Sequence, residues 1–206
     1  MAALMPQAPD PLKNIKAALS RDSAASSDFD LNPDVVLPKG RKLRPAGVLV
    51  PIEIKQDIPH VILTKRASHL KHHPGQISFP GGKQDDGDAD VIAAALREAR
   101  EEIGLPSNNV DVLGTLPTHE TVTSFMITPV LGHVRDAFDV IPEPGEVEEV
   151  FSVPLAHVTD PALFSIQSRR WQGQRRHYFT VPFGPYYIWG ATARILRGLA
   201  ERVSGT

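Results

Sequence analysis

The sequence predicts a mixed α+β domain, and three observations predict it. Segments rich in β-branched residues outnumber helical ones and do not alternate regularly with them, as a doubly wound fold would require. Two segments, at about 91–103 and 188–203, repeat apolar residues at helical spacing. The 206 residues, 41% of them hydrophobic, suffice for one core with appendages.

The first 45 residues differ in composition from the rest. Six prolines interrupt this segment, the stretch SRDSAASSD is polar, and only PLKNIKAALS at 11–20 is typical of a short helix. We therefore interpret residues 1–45 as a partly mobile N-terminal arm that wraps onto the domain or onto a partner. Residues 46–206 then form the folded domain.

Strands are predicted where β-branched runs are bounded by Pro, Gly or Asp. The clearest runs are AGVLVPI at 46–52 and HVILTKR at 60–66, and others follow at 110–116, 125–134, 147–155 and 175–183. The segment at about 67–90 is irregular and long, as functional loops often are. Within it, Gly81 and Gly82 allow close approach of the backbone to a ligand, and the exposed N–H groups of such a turn can bind phosphate. A simple hairpin turn is the alternative for these glycines.

The helix predicted at about 91–103 has clear start and stop signals. Asp88 or Asp90 can cap its first turn, and Gly104 can end it in the left-handed conformation. Its apolar residues share one face, which should pack on the core: Ile92, Leu96, Ala99 and Ile103.

The same helix carries three glutamates, Glu98, Glu101 and Glu102. Glu98 and Glu102 are one turn apart, and such a like-charge pair costs about 0.2–0.5 kcal/mol. Arg97 lies four residues before Glu101 and can pair with it. Carboxylates on one rigid face are what a hard cation such as Mg²⁺ requires. A solvated helix with ordinary charge pairs is the commoner origin of such a fragment, but the long loop before it favours a metal site.

The loop and helix together resemble the Nudix box, G-x5-E-x7-R-E-U-x-E-E-x-G-U, in which U is apolar. Its second half is matched at the correct spacing by Arg97, Glu98, Ala99, Glu101, Glu102, Gly104 and Leu105. The first half departs from the pattern, because Gly82 precedes Arg97 by 15 positions rather than 14 and Ala89 occupies the glutamate position. Asp85 and Asp88 are the candidates for an acidic loop residue that assists the metal site.

A longer stretch, LTKRASHLKHHPGQISFPGGKQD at 63–85, resembles the signature of the coenzyme A pyrophosphatase branch of Nudix hydrolases, which shares the longer loop. Later segments are similar as well, so the resemblance covers about residues 44–200. It implies the Nudix fold, in which a mixed β-sheet is sandwiched between helices (α/β/α). It also implies hydrolysis of the pyrophosphate bond of coenzyme A, or of its derivatives, to 3′,5′-ADP and 4′-phosphopantetheine.

The resemblance implies roles for individual residues. Glu98 and Glu102 bind Mg²⁺ or Mn²⁺, and Glu101 is a further ligand or the base that activates water. Arg97 belongs to the same catalytic motif, and Glu120, in a later loop, is a rival base. Coenzyme A also carries a 3′-phosphate, which calls for cations outside the metal site. The implied substrate-binding residues are Arg44, Lys65, Arg66, Gly81 and Gly82, of which Arg66, at a strand end, is the best phosphate contact.

Charge and residue usage exclude several other classes. The chain has 22 basic and 24 acidic residues, a net charge of −2, which argues against a nucleic-acid or membrane-surface binder. The absence of cysteine excludes disulfides and thiolate metal sites. No apolar run approaches the roughly 20 residues that span a bilayer, and no signal pattern opens the chain, so we expect a cytoplasmic location.

Two alternatives to coenzyme A hydrolysis remain open. One is a Nudix hydrolase of another nucleoside diphosphate derivative, such as ADP-ribose or a dinucleotide. The other is a catalytically weak Nudix module that binds a ligand, since the loop glutamate is missing. In each case the partner is a small molecule, and a homodimer is a plausible form of the protein.

Overall fold

The computed structural model of the protein describes residues 10–38, 40–171 and 173–205. Within these ranges there are four α-helices: α1 Lys13–Leu19, α2 Val91–Ile103, α3 Leu155–Val158 and α4 Ala191–Ser204. The strands of the same ranges are β1 Ser26–Ser27, β2 Arg44–Lys55, β3 Ile58–Arg66, β4 Ile77–Ser78, β5 Gly81–Lys83, β6 Val110–Thr115, β7 His119–Glu120, β8 Phe125–Val134, β9 Val147–Pro154, β10 Ser165–Trp171 and β11 Gln174–Thr180.

A mixed sheet of nine strands, built from the described residues, forms the middle of the domain. Its central strand, β2, pairs in parallel with β8 and antiparallel with β3 and β5. On one side β3 continues to β4 and β9, and on the other β8 pairs with β6 and β7. β1 adds in parallel to β7, while β10 and β11 form a separate hairpin.

Helices cover both faces of this sheet. Side chains of a strand point alternately to opposite faces, so the neighbours Leu49 and Val50 in β2 enter two different cores. The first core lies under α2 and includes Leu49, Ile62, Ala99, Ile103 and Val130. The second lies under α1, α3 and α4 and includes Val50, Leu63, Leu131, Val158 and Leu196. The α+β class and the α/β/α sandwich are both confirmed.

Gly47 lets α2 lie unusually close to the central strand. A Cβ at this position would be 2.0 Å from the carbonyl oxygen of Val91 and 3.0 Å from the nitrogen of Ala95. Such distances are well below contact, so a larger residue would push the helix away from the sheet. The position of α2 over β5, and therefore of its glutamates, depends on this glycine.

The predicted ends of α2 are confirmed. The Asp90 carboxylate accepts a hydrogen bond of 2.8 Å from the N–H of Ala93, and Gly104 closes the helix with a φ of 74°. The second predicted helix begins at Ala191, and its buried face includes Ile195, Leu196 and Leu199 as expected. Two short strands, β4 and β5, lie within the segment predicted as one irregular loop at 67–90.

Part of the predicted N-terminal arm packs against the domain. Ile15 and Ala18 of α1 are buried, and Arg202 of α4 donates hydrogen bonds to the carbonyls of Ala18 and Leu19, both at 2.9 Å. These bonds satisfy carbonyls that the end of a helix leaves without partners. Residues 1–9 lie outside the described ranges, and the boundary at residue 45 stays a prediction. No helix within the described ranges has the length and apolar character needed to cross a bilayer.

Candidate active site

Two glutamates of α2 lie against the backbone of β5. Glu102 is buried, with 6% of its surface exposed, and its Oε2 accepts a hydrogen bond of 3.2 Å from the N–H of Gly81. The carboxylate of Glu98 lies over Gly82, where a Cβ would be 2.6 Å from Oε1. Gly81 has a φ of 153°, and a Cβ there would meet the Cα of Val48 at 2.5 Å. Glycine at 82 therefore makes room for the Glu98 carboxylate, and glycine at 81 lets β5 lie close to β2.

The electrostatics of this pair differ from those of a solvated helix face. Burial is the main cause that raises the pKa of Glu102 to about 8, and the negative charges of Glu98 and Glu146 raise it further against the hydrogen bond from Gly81. Burial also raises the pKa of Glu98, although its bond to Arg97 opposes the shift. A cation beside the pair would reverse both shifts, because it replaces the solvation that burial removed.

Arg97 links the acidic groups around it. Its Nε and Nη2 each donate a hydrogen bond of 2.9 Å to Asp88, and its Nη1 donates bonds of 2.9 Å to Glu98 and Glu101. The bonds from Arg97 hold the pKa of Asp88 below its usual range. Of the two candidate loop residues, Asp88 thus contacts the arginine at both oxygens, whereas Asp85 is 3.7 Å from it. Neither is placed directly on the glutamate pair.

Glu101 differs from its two neighbours in exposure. Half of its side-chain surface is exposed, and it forms an i, i+4 ion pair of 2.9 Å with Arg97. It lies on the same turn of α2 as Glu98 and Glu102 and is open to solvent, so a water molecule can reach its free oxygen.

The donor set fits a hard divalent cation. Glu98 and Glu102 offer carboxylate oxygens, and Mg²⁺ is usually bound by one or two carboxylates together with water and phosphate oxygens. Within residues 10–38, 40–171 and 173–205, no three His, Asp or Glu side chains converge closely enough to enclose an ion alone. An ion held by the pair would therefore take its remaining ligands from water and from a substrate.

Glu120 belongs to a different part of the molecule. It ends β7, and its Oε1 accepts a hydrogen bond of 2.8 Å from Arg41. The strands β7, β8, β2 and β5 are successive neighbours. Glu120 is therefore three strands away from Gly81, about 14 Å at the usual strand spacing. The structure does not bring Glu120 into contact with Glu98 or Glu102.

The loop that carries Glu120 is held by the N-terminal segment. His119 is fully buried, with Nδ1 2.9 Å from Ser26 Oγ and Nε2 3.2 Å from Asp28 Oδ1. The second oxygen of Asp28 accepts a bond of 2.9 Å from the N–H of Val122. Arg41, besides its bond to Glu120, donates to the carbonyl of Thr121 at 3.0 Å. We call this cluster of Ser26, Asp28, Arg41, His119 and Glu120 the N-terminal clasp.

Arg66 is the predicted substrate-binding cation whose charge acts on Glu102. It ends β3 at an irregularity in the pairing with β9. Its positive charge opposes the burial-driven rise in the pKa of Glu102. Among the residues that the structure describes, no carboxylate forms an ion pair with its guanidinium. Arg66 is thus available to a phosphate.

The other two predicted cations already have partners. Lys65 forms an ion pair of 2.6 Å with Glu148. Arg44 lies 4.0 Å from the centre of the Phe125 ring and donates a bond of 3.3 Å to the carbonyl of Thr123. The structure therefore separates Arg66 from Lys65 and Arg44, which the sequence placed in one group.

Glu146 is a residue that the sequence analysis missed. Its charge contributes to the raised pKa of both Glu98 and Glu102. It precedes β9, which pairs with β3, and its carbonyl accepts a bond of 2.8 Å from the N–H of Ala67. This pairing between distant segments brings it to the site, and the local sequence carries no signal for it. The clasp was missed for the same reason.

The sequence of this chain is similar to known proteins. Residues 43–172, more than half of the chain, match the family model of the NUDIX domain. An uncharacterized Nudix hydrolase NudL of Cronobacter sakazakii is 41% identical over 160 residues, which are 78% of this chain and 83% of that protein. Proteins of the same name from Enterobacter sp. and Escherichia coli are each 39% identical over the same shares.

Solved structures are more distantly similar. RenU, a Nudix hydrolase of M. smegmatis, is 23% identical with a TM-score of 0.47. The match covers 57% of this chain and 73% of the RenU chain. A MutT/nudix family protein from Enterococcus faecalis is 16% identical with a TM-score of 0.48. The match covers 84% of this chain and 67% of the E. faecalis chain. The family model and the relatives suffice, and the chain belongs to the Nudix hydrolase family.

Proposed function

We propose that this protein is a divalent-metal-dependent hydrolase that cleaves the pyrophosphate bond of coenzyme A or its derivatives to 3′,5′-ADP and 4′-phosphopantetheine. The observation that carries the proposal is the buried pair of Glu98 and Glu102 against the side-chain-free backbone of Gly81 and Gly82. The choice of coenzyme A is supported by the signature at 63–85, which supplies both the glycines and Arg66.

In this proposal Glu98 and Glu102 hold Mg²⁺ or Mn²⁺ through their carboxylate oxygens. When bound, such an ion neutralises charge on the phosphate oxygens and positions the attacking water, which is most of what phosphoryl transfer requires. The absence of a side chain on Gly82 lets the Glu98 carboxylate lie against the main chain of β5, and the N–H of Gly81 donates to Glu102. Arg97 orients Glu98 and Glu101, and Arg66 pairs with a phosphate oxygen.

We assign the activation of water to Glu101 ahead of Glu120. Glu101 lies on the same helical turn as the proposed ligands and is half-exposed, whereas Glu120 is three strands away and bound to Arg41. A general base must lie within hydrogen-bond reach of the proton it removes, directly or through one water. Glu101→Gln is therefore expected to lower kcat by a much larger factor than Glu120→Gln does.

The substrate assignment is tested by incubating the full chain with coenzyme A, ADP-ribose or a dinucleotide, with Mg²⁺ or Mn²⁺, and separating the products by chromatography. We expect coenzyme A to give 3′,5′-ADP and 4′-phosphopantetheine at the highest kcat/KM. Cleavage of ADP-ribose with coenzyme A left intact would contradict the substrate and support the first alternative. If none of the three is cleaved with either metal, the ligand-binding module is the better description. The cytoplasmic location and the homodimer stay predictions.

A further inference from the structure

One stretch near the C-terminus carries only positive charge. Residues 161–200 contain six arginines and no lysine, aspartate or glutamate, so the rest of the chain holds the remaining 16 of 22 basic residues and all 24 acidic ones. Four of the arginines lie on the β10–β11 hairpin, where Arg169 is directly opposite Arg176 and Arg170 is opposite Arg175. Like charges at opposed positions destabilise a hairpin. This composition therefore suits a surface that binds an anion.

On one face of the hairpin, an arginine side chain lies against a group of aromatic rings. The guanidinium of Arg169 is 4.2 Å from the ring centre of Trp189, which is 5.1 Å from that of Tyr178. The hydroxyls of Tyr178 and Tyr187 are 3.4 Å apart, and Tyr187 is 45% exposed. Arg170 is the next residue along the strand and points to the opposite face. We call Arg169, Tyr178, Tyr187 and Trp189 the arginine–aromatic surface.

This surface adjoins the loop between β3 and β4, residues 67–76 of the signature, through the start of α4. A Cβ on Gly190, which follows Trp189, would be 3.6 Å from the side-chain nitrogen of Gln76. The hydroxyl of Thr192 donates a bond of 3.0 Å to the carbonyl of Ile77. The carbonyl of Gln76 in turn accepts a bond of 3.0 Å from the N–H of Arg66. The loop thus leads from the aromatic rings to the arginine beside the glutamate pair.

The electrostatics of His73 also connect Arg66 with the arginine–aromatic surface. His73 lies on the same loop, and although the residue is exposed, desolvation of its ring lowers its pKa. The next contributions to this lowering come from the charges of Arg66, His72 and Arg169. The charges of Arg66 and Arg169 thus both act on the histidine of this one loop.

We propose that the arginine–aromatic surface binds the nucleotide end of the substrate, with the purine stacked on the aromatic rings and Arg169 paired with the phosphate on the ribose. The inference rests on the proposed function, which gives the substrate a diphosphate to place between Arg66 and the glutamate pair. Aromatic side chains stack on any nucleobase, and the planar guanidinium matches phosphate oxygens in a bidentate manner. In coenzyme A the phosphate in question is the 3′-phosphate.

The test measures binding without hydrolysis. Calorimetry on the full chain, with no metal added, compares 3′,5′-ADP with 5′-AMP, which lacks the 3′-phosphate. In Arg169→Gln we expect the Kd for 3′,5′-ADP to rise at least tenfold and the Kd for 5′-AMP to change less than twofold. The matched control is Arg170→Gln, which removes the same charge from the other face and should leave both values within twofold. Trp189→Leu should weaken both nucleotides.

Equal effects of Arg169→Gln and Arg170→Gln on 3′,5′-ADP would overturn the inference, whether or not Trp189→Leu folds. Its failure is distinguishable from failure of the proposed function. If coenzyme A is not cleaved but Arg169→Gln selectively weakens 3′,5′-ADP, the surface is supported and the reaction is not. If coenzyme A is cleaved and Arg169→Gln leaves both its KM and the binding of 3′,5′-ADP unchanged, the reaction is supported and the surface is refuted.

Discussion

The glutamate pair on α2 and the N-terminal clasp hold their carboxylates by opposite means. The pair is built from one stretch of the chain, because Gly81, Gly82, Glu98 and Glu102 lie within residues 81–102. The clasp joins residues that are 79–93 positions apart in the sequence. The residues that hold Glu120 also come from the segment before residue 43, where the match to the family model begins.

The two regions differ in charge compensation as well. In the clasp, Glu120 is paired with Arg41, and Asp28 meets both His119 and a main-chain N–H. In the pair, burial raises the pKa of both carboxyl groups, because the hydrogen bonds around them do not compensate for the lost water. A cation would therefore stabilise the pair and would have little to add in the clasp. This contrast favours a metal site on α2 and a structural role for the clasp.

The largest effect should come from the pair itself. Glu98→Gln and Glu102→Gln are each expected to lower kcat/KM at least about 100-fold, since even the groups that orient metal ligands are worth 10–100-fold. Circular dichroism should show an unchanged fold. Glu148→Gln removes one carboxylate from an exposed ion pair and serves as the control. Near-normal rates in either variant at limiting metal would refute the ligand assignment.

The burial of Glu102, which the carboxylates of the clasp do not share, should make the stability of the protein depend on pH. The pKa of Glu102 rises from an unfolded value of 4.5 to about 8 on folding. The folded state thus holds this proton more tightly, so stability is full below pH 4.5 and is lost as the pH rises towards 8. For the metal-free protein we expect a loss on the order of 3–4 kcal/mol between pH 5 and 8, measured by urea unfolding.

Glu102→Gln should flatten that dependence, because glutamine does not ionise, and Mg²⁺ should restore stability to the wild type at pH 8. An unchanged slope in Glu102→Gln would show that this carboxyl group is not the one that titrates.

The next largest effect is a difference in KM between variants of two adjacent cations, Arg66 and Lys65. Arg66 has no ion pair among the described residues, whereas Lys65 is bound to Glu148. We expect Arg66→Gln to raise KM about tenfold, the loss of one charged contact of about 1.4 kcal/mol. Lys65→Gln should change KM less than twofold, because exposed ion pairs contribute about 0–1 kcal/mol. Steady-state kinetics with coenzyme A measures both, and equal effects would remove the distinction between the two residues.

The smallest effect is expected in the clasp. Arg41→Gln removes the partner of Glu120 and a bond to the carbonyl of Thr121, which should lower the free energy of unfolding by about 1 kcal/mol. Turnover should fall only a few-fold, since the loop is retained by Asp28 and His119. Chemical denaturation and kcat measure the two quantities. A loss of turnover as large as that of Glu98→Gln would break the contrast and make Glu120 the base in place of Glu101.

How much the sequence predicts depends on how local each signal is. The bounds of α2 follow from Asp90, Gly104 and the apolar period between them, and the structure confirms them. β10, in contrast, is polar and pairs only with the strand that follows it, so no alternation of apolar residues marks it. The sequence also left open whether Asp85 or Asp88 assists the site, because only the fold shows that Asp88 contacts Arg97.

The clasp and Glu146 could not be predicted at all from local patterns. Each depends on contacts between segments far apart in the chain, which composition and spacing do not reveal. The sequence therefore located the residues proposed to bind the cation and did not locate those that position the surrounding loops.

The central claim is that Glu98 and Glu102 together bind one divalent ion. Anomalous diffraction from crystals grown with Mn²⁺ tests it most directly, because the signal locates the metal independently of any assumed ligand. We predict a peak bonded to carboxylate oxygens of both residues, with Glu98 drawn away from Arg97. A peak at Glu120 or Asp85, or no peak while Glu98 stays on Arg97 and Glu102 on the N–H of Gly81, would contradict the claim.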